Sequence, residues 1–158
     1  RDVAPSRGLG DVYKRQSGSD PLAWRINQTG SRVAIAGLGN AYPLAEQVAA
    51  ALTAEHSMKA TVIDPRQCTS LDADALESLR DGHELVVTLE DGQLEGGWGE
   101  KVTAFYANST NPKAATVHAL NFGASKEFTD RVPLAELDER YGLTVEAVAD
   151  RIRRVLAR

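Results

Sequence analysis

The chain has 158 residues, a length that suits one domain of ordinary size. Its 18 basic and 22 acidic residues give a net charge of −4, which offers no electrostatic attraction for nucleic acid. Its longest apolar runs, at residues 33–38 and 85–89, are far shorter than the roughly 20 residues that cross a bilayer. A single cysteine, Cys68, excludes an internal disulfide, and because the start shows no apolar signal region we expect a soluble, cytoplasmic protein.

Residues 1–22 differ from the rest of the chain. They show neither the period of a strand nor that of a helix. The run from Ser6 to Gln16 looks like the translated adapter sequence that appears at the ends of environmental gene fragments. We therefore expect residues 1–22 to be a disordered, non-native segment, with a genuine flexible linker as the alternative. Residues 23–158 are predicted to form the folded domain.

From Arg32 onward, short apolar runs rich in β-branched residues alternate with helical patterns, which predicts a sheet covered by helices. The first predicted strand covers residues 33–36, and a helix follows from Pro43. The apolar face of that helix is formed by residues four apart: Leu44, Val48 and Leu52. The second strand covers residues 61–63.

The second half of the chain continues the alternation. Asp72 is predicted to cap a short helix, and residues 85–89 form the third and most apolar strand. A longer helix should begin near Gly97, residues 115–120 give a fourth strand, and Thr144 opens a final amphipathic helix. The apolar faces of these three helices are formed, in chain order, by Leu76 and Leu79, by Trp98, Val102, Phe105 and Tyr106, and by Val145, Val148, Ile152 and Val155.

The first candidate motif is a glycine pair, Gly37 and Gly39, between the first strand and its helix. Dinucleotide-binding turns occupy this place, and Asp64 and Arg66 at the next strand end could contact a ribose and a 2′-phosphate. The third glycine of that fingerprint is replaced by Tyr42, however. A tight turn that needs small residues is the alternative interpretation.

The second candidate is Arg66, which follows the second strand directly after Asp64 and Pro65. Ligands of open α/β sheets gather at the carboxyl ends of strands, and Pro65 restricts the exit so that the next side chain has a defined direction. A planar guanidinium can hold a phosphate through two parallel hydrogen bonds. Spacing alone leaves two interpretations open: a phosphate-binding arginine, and a solvated or salt-bridged surface arginine.

The third candidate is the acidic pair Glu90 and Asp91, which precedes Gly96, Gly97 and Gly99. Adjacent carboxylates can act in acid–base or metal chemistry. No second set of ligands accompanies them, and the three histidines lie at spacings that match no zinc motif. We therefore expect a structural role, in which the glycines allow a sharp turn and close packing of the helix start. We assign no catalytic, cofactor-binding or metal-binding residue.

In order and spacing these motifs resemble the carboxy-terminal domain of the 1-deoxy-D-xylulose-5-phosphate synthases, which are thiamine-diphosphate enzymes of the transketolase family. The resemblance is carried by the strand and arginine at 61–66, the acidic and glycine-rich run at 86–99, the block 121–130 and the closing segment 134–144. Residues 26–30 match the linker that leads into the domain. The resemblance implies a three-layer α/β/α fold with a mainly parallel sheet of about five strands.

The resemblance also implies what such a domain contributes to the whole enzyme. In these synthases the arginine at the position of Arg66 looks like one of the groups that grip the phosphate of glyceraldehyde 3-phosphate, which condenses with pyruvate. Thiamine diphosphate and Mg²⁺ are held by other domains, whose motifs have no match in this chain. The chain is therefore predicted to be an inactive fragment of a homodimeric enzyme that serves isoprenoid, thiamine and pyridoxal synthesis.

The chain departs from the family after Arg66. Where the family usually has an aromatic residue followed by Lys-Pro-Leu-Asp, residues 67–72 read Gln-Cys-Thr-Ser-Leu-Asp, so the lysine and the proline are missing. Three alternatives stay open. These are the matching domain of an oxo-acid dehydrogenase β subunit, a nucleotide-binding module that uses Gly37, Gly39 and Asp64, and a structural domain whose only task is dimer contact.

Overall fold

The computed structural model describes residues 22–110 and 116–158, and these residues form five strands and five α-helices. In chain order the elements are β1 (Arg25–Gln28), β2 (Arg32–Gly37), α1 (Tyr42–His56), β3 (Thr61–Asp64), α2 (Ala73–Leu79), β4 (His83–Gln93), α3 (Trp98–Ala107), β5 (His118–Ala124), α4 (Leu134–Tyr141) and α5 (Val145–Leu156). A 3₁₀ turn, Gly39–Ala41, joins β2 to α1. The prediction of disorder for residues 1–22 lies outside the described residues except at Leu22.

The five strands form one sheet in the order β1-β3-β2-β4-β5. β1 runs antiparallel to β3, and every other neighbouring pair is parallel. The register aligns Val62, Ile35, Val87 and Leu120 in one row across the four parallel strands. The predicted α/β class with a mainly parallel five-stranded sheet is confirmed.

Two apolar cores lie on opposite faces of this sheet. One contains the row just described together with Val48 and Leu52 of α1 and Ile152 of α5. The other contains Ala34 and Val86 from alternate strand positions, packed against α2 and α3. Because successive strand residues point to opposite faces, strands covered on both sides need apolar residues at consecutive positions, which explains the continuous runs in β2 and β4. The result is the predicted three-layer α/β/α arrangement.

The helix starts agree with the capping residues read from the sequence. The Ala75 amide donates to Asp72 Oδ1 over 2.9 Å, and the Ala147 amide donates to Thr144 Oγ1 over 3.3 Å. Such caps satisfy backbone donors that have no partner inside the helix. Asp72 also accepts the Trp24 amide at 2.9 Å, so this carboxylate joins the segment before β1 to α2. None of the helices in the described ranges is long and apolar enough to cross a membrane.

Three predicted boundaries were wrong. β4 covers residues 83–93 and not only 85–89, so Glu90 and Asp91 lie within this strand and not after it. Residues 26–30 were expected to be a linker, but residues 26–28 lie in β1. The burial of β1 alternates between exposed and half-buried positions, so the strand contains no apolar run by which the sequence could identify it. β5 continues to Ala124, beyond the predicted end at residue 120, because the polar Asn121 is paired inside the sheet by the Thr88 hydroxyl at 2.8 Å. The predicted start of that strand, residue 115, lies outside the described residues.

Candidate functional site

The four parallel strands place their carboxyl ends along one edge of the sheet, and Arg66 lies there. β3 ends at Asp64, Pro65 is buried, and Arg66 is exposed. The Arg66 backbone has a φ of 64°, in the left-handed region, and its amide donates to Asp64 Oδ1 over 2.9 Å. A left-handed conformation costs a non-glycine residue roughly 1–2 kcal/mol, and such outliers cluster at functional sites. The fold therefore holds this arginine in a fixed turn.

Arg66 lines an open cleft of about 520 Å³ at this edge. The other lining residues come from the loop after β2, the start of α1 and the loop after β3: Leu38, Gly39, Tyr42, Asp64, Gln67 and Cys68. The guanidinium is a planar donor that suits a phosphate or a carboxylate. The cleft can therefore bind a small anionic group against a wall that also contains the aromatic ring of Tyr42.

The loop that departs from the family pattern is held by its own hydrogen bonds. The Gln67 side-chain oxygen accepts the amides of Thr69 and Ser70, and its nitrogen donates to the Ser70 carbonyl oxygen at 3.0 Å. From α3, Lys101 Nζ donates to the Cys68 carbonyl oxygen over 3.1 Å. The loop thus has a defined shape without the proline, and a lysine from another element reaches it.

Tyr42 forms a second wall of the Arg66 cleft. Its hydroxyl accepts from Asn27 Nδ2 at 2.6 Å and donates to Glu46 at 3.1 Å. Burial is the largest cause that raises the pKa of this phenol, so it stays neutral and keeps its proton for a hydrogen bond. Tyr42 therefore ties β1 to α1 beside the arginine.

The glycine pair after β2 forms a tight turn and not a phosphate cradle. The Ala41 amide donates to the Leu38 carbonyl and the Tyr42 amide to the Gly39 carbonyl, while Pro43 has no amide proton. A phosphate at a helix start needs such donors free. A Cβ on Gly37 would lie 2.6 Å from the Tyr42 Cα, so this glycine allows close packing of strand and helix. This geometry favours the tight-turn interpretation over the nucleotide-binding one.

The acidic pair near the carboxyl end of β4 separates into two different environments. Glu90 is only 4% exposed, and its two oxygens accept the amides of Trp98 at 3.0 Å and Gly99 at 2.8 Å. Asp91 is exposed and accepts from Asn40 Nδ2 at 3.1 Å. The buried carboxylate thus caps the amino terminus of α3 from a neighbouring strand.

The glycines beside Glu90 make this cap possible. A Cβ on Gly97 would lie 2.6 Å from Glu90 Oε1 and would overlap the Gln93 carbonyl oxygen. A Cβ on Gly99 would overlap the Thr88 hydroxyl. These contacts favour the structural interpretation of the acidic and glycine-rich run.

The titratable residues elsewhere form no metal centre within the described ranges, where no three histidine, cysteine, aspartate or glutamate residues are grouped to hold an ion. His83 is buried at the opposite, amino edge of the sheet. Its Nδ1 donates to the Leu79 carbonyl oxygen at 2.9 Å, and its Nε2 lies 2.8 Å from the Thr61 hydroxyl. Burial lowers the pKa of His83. This histidine lies at the end of the sheet opposite to the Arg66 edge.

Comparison with protein families gives a match over residues 22–148 to the family described as transketolase, C-terminal domain. The chain belongs to the transketolase C-terminal domain family. A curated relative from Symbiobacterium thermophilum, named 1-deoxy-D-xylulose-5-phosphate synthase, is 40% identical over 135 residues, covering 84% of this chain and 20% of that protein. A synthase of the same name from Acidobacterium capsulatum is 30% identical and covers 96% of this chain and 23% of that protein. The chain thus spans about a fifth of the length of these relatives.

Solved structures agree with the fold of this family. A structure described as a split gene transketolase, inactive beta4 tetramer, matches 88% of this chain and 44% of its own, with a TM-score of 0.75 and 26% identity. Transketolase from Pichia stipitis in complex with sedoheptulose 7-phosphate matches with a TM-score of 0.60 over 86% of this chain and 18% of its own. At 19% identity, that second likeness supports the fold alone.

Sequence reasoning found part of the Arg66 cleft of this transketolase C-terminal domain. Arg66 follows its strand as predicted, and Asp64 lies beside it. The sequence analysis notes Tyr42 only as the residue that replaces a glycine, and it does not identify Lys101, which binds the loop after β3. A polar residue in the first turn of a helix that starts at the carboxyl edge is the signal that could have identified both.

Proposed function

We propose that this chain is the carboxy-terminal domain of a 1-deoxy-D-xylulose-5-phosphate synthase. The observation that carries the proposal is the 40% identity with the Symbiobacterium thermophilum synthase over 84% of this chain. In the whole enzyme pyruvate condenses with glyceraldehyde 3-phosphate and carbon dioxide leaves, a transferase reaction that supplies isoprenoid, thiamine and pyridoxal synthesis. The enzyme acts as a cytoplasmic homodimer.

Thiamine diphosphate and Mg²⁺ belong to the rest of that enzyme. Mg²⁺ needs oxygen ligands in near-octahedral geometry, and the described residues offer no group of three acidic or histidine side chains for it. The buried carboxylate at the carboxyl edge, Glu90, already binds two backbone amides. The described residues do not fit Mg²⁺, and in this proposal the domain has no cofactor role.

The contribution of this domain is to bind the acceptor substrate through Arg66. A phosphate at the cleft would meet a planar guanidinium that can donate two parallel hydrogen bonds. The left-handed turn at Arg66 and the hydrogen-bonded loop after it support this role, because both give a defined shape to the backbone from which the side chain projects. Binding of the non-reacting phosphate orients the aldehyde for attack elsewhere.

The test is a domain exchange. The segment of the Symbiobacterium thermophilum synthase that matches this chain is replaced by residues 22–158, and condensation of pyruvate with glyceraldehyde 3-phosphate is measured. The proposal predicts an active chimera. The same exchange with the matching segment of the Acidobacterium capsulatum synthase shows whether the enzyme tolerates a foreign domain. If that control is active while the chimera with this chain is folded, dimeric and inactive, the proposal is wrong.

A further inference from the structure

A second crevice opens at the carboxyl edge of the sheet, between β2 and β4. These neighbouring parallel strands lead into helices on opposite faces, because α1 covers the face of the first core and α3 the face of the second. In open α/β sheets, ligands bind where neighbouring strands have such opposed connections, since the two loops diverge and leave a gap. The gap is spanned here by the Asn40 to Asp91 hydrogen bond.

The crevice has the size and lining of a small-molecule site. Its volume is about 610 Å³, within the roughly 300–1,000 Å³ typical of ligand pockets. Apolar side chains from α1, α4 and the start of α5 form its walls: Leu44, Leu134, Leu143 and Val145. Leu134 is 73% exposed at the rim. An apolar ligand body therefore has surface to bury.

The charge of the crevice is negative. Four carboxylates line it, from Glu90, Asp91, Asp138 and Glu139, and none of the described residues that line it is lysine, arginine or histidine. The starts of α1, α5 and α3, the last of which Glu90 caps, oppose this with about half a positive charge each, while the end of α4 adds about half a negative charge. Four full charges outweigh these partial ones, so the crevice attracts a cation.

We propose that this crevice binds a small organic ammonium ion that carries an apolar body. The ammonium group lies among Asp91, Asp138 and Glu139, and the apolar body packs on Leu44 and Leu143. Glu90 adds to the negative potential of the crevice but does not contact the ammonium group, because both its oxygens accept hydrogen bonds from α3 amides. The site differs in sign from the Arg66 cleft, which suits an anion, and it does not depend on the proposed synthase function.

The test uses three probes that share a phenyl ring and a two-carbon chain: 2-phenylethylammonium, the neutral 2-phenylethanol and the anionic 3-phenylpropionate. Leucine and valine methyl resonances of the 158-residue chain are followed by NMR during titration. The proposal predicts saturable shifts at Leu44, Leu143 and Val145 with the ammonium probe, at least fivefold weaker affinity for the alcohol, and none for the carboxylate. Methyls of Leu76 and Leu79, on the other face of the sheet, should not move.

A pair of matched variants separates the site from the general charge of the protein. Asp138→Asn should weaken ammonium binding about 1.5- to 5-fold, the range expected from one partly exposed ion pair. Asp81→Asn removes an exposed carboxylate in the turn before β4 and should change nothing. Equal affinity for the alcohol, preferred binding of the carboxylate, or no methyl shift at the solubility limit overturns the proposal. Binding of a lysine-rich peptide without response to the ammonium probe also overturns it, in favour of protein docking.

Discussion

At the scale of single residues, Arg66 combines a charged side chain with a backbone conformation that glycine would adopt at less cost. The two properties can be separated by substitution. Alanine removes the guanidinium and keeps the strained φ, whereas glycine removes both. The hydrogen bond to Asp64 Oδ1 survives in either variant because its donor is the backbone amide of residue 66.

We expect Arg66→Ala in the active chimera to cost about 2–3 kcal/mol in kcat/KM for glyceraldehyde 3-phosphate, since a charged bidentate hydrogen bond is lost. At about 1.4 kcal/mol per decade this is roughly a 30- to 150-fold loss. Arg66→Gly should lose as much activity while melting at an equal or higher temperature than the alanine variant. Arg66→Lys should recover only part, because a point charge cannot reproduce the planar fork.

Steady-state kinetics with phosphorylated and unphosphorylated aldehydes checks this prediction. Turnover of the unphosphorylated aldehyde and the apparent affinity for pyruvate should hardly change. Equal losses for both aldehydes would show that Arg66 supports the fold or the dimer instead.

At the scale of elements, α3 depends on a carboxylate that belongs to a strand. In Glu90→Gln only one side-chain oxygen remains for the two helix amides, and the new NH₂ group faces the amide that loses its acceptor. We therefore expect the free energy of unfolding to fall by about 1–3 kcal/mol. Asp91→Asn, one residue away and exposed, should stay within about 0.5 kcal/mol of the parent. Urea unfolding of the two variants measures the difference, and equal stabilities would argue against the cap.

The amino edge of the sheet contains a pH-sensitive element. Burial lowers the pKa of His83 in the folded state below the ordinary 6.5, so the unfolded chain binds the proton more readily. The stabilisation is full above about pH 6.5 and is lost as pH falls through the folded pKa. We expect the melting temperature to drop between pH 7.5 and 5.5 by less in His83→Gln than in the parent. His118→Gln, at an exposed position, serves as the control, and its melting temperature should fall as much as that of the parent.

Elements with strong apolar periodicity could be predicted from the sequence, and those built from polar pairs could not. The faces of α1, α3 and α5 follow from their spacing, and Asp72 and Thr144 cap as expected. β1 was missed because its half-exposed residues gain stability from pairing with β3, a long-range contact. The Glu90 cap joins residues eight and nine positions apart, beyond any helix-capping pattern in the sequence.

At the scale of the whole molecule, the chain spans about a fifth of the length of its curated relatives. We expect this chain alone to have no synthase activity and to bind no thiamine diphosphate. Calorimetry with the cofactor and Mg²⁺ should give no binding heat. Saturable micromolar binding would mean that the cofactor site lies at least partly in this domain.

The two tryptophans of the chain, Trp24 and Trp98, lie side by side with ring centroids 5.5 Å apart and planes tilted by 51°. Because both indoles lie in the same buried place, tryptophan fluorescence and the tryptophan bands of near-ultraviolet circular dichroism report that place only. It lies inside the second core, where the segment before β1 meets the start of α3. Detachment of β1 would change both optical signals while the α1 and α5 layer stayed folded, which gives the domain an intrinsic probe of its sheet edge that needs no label.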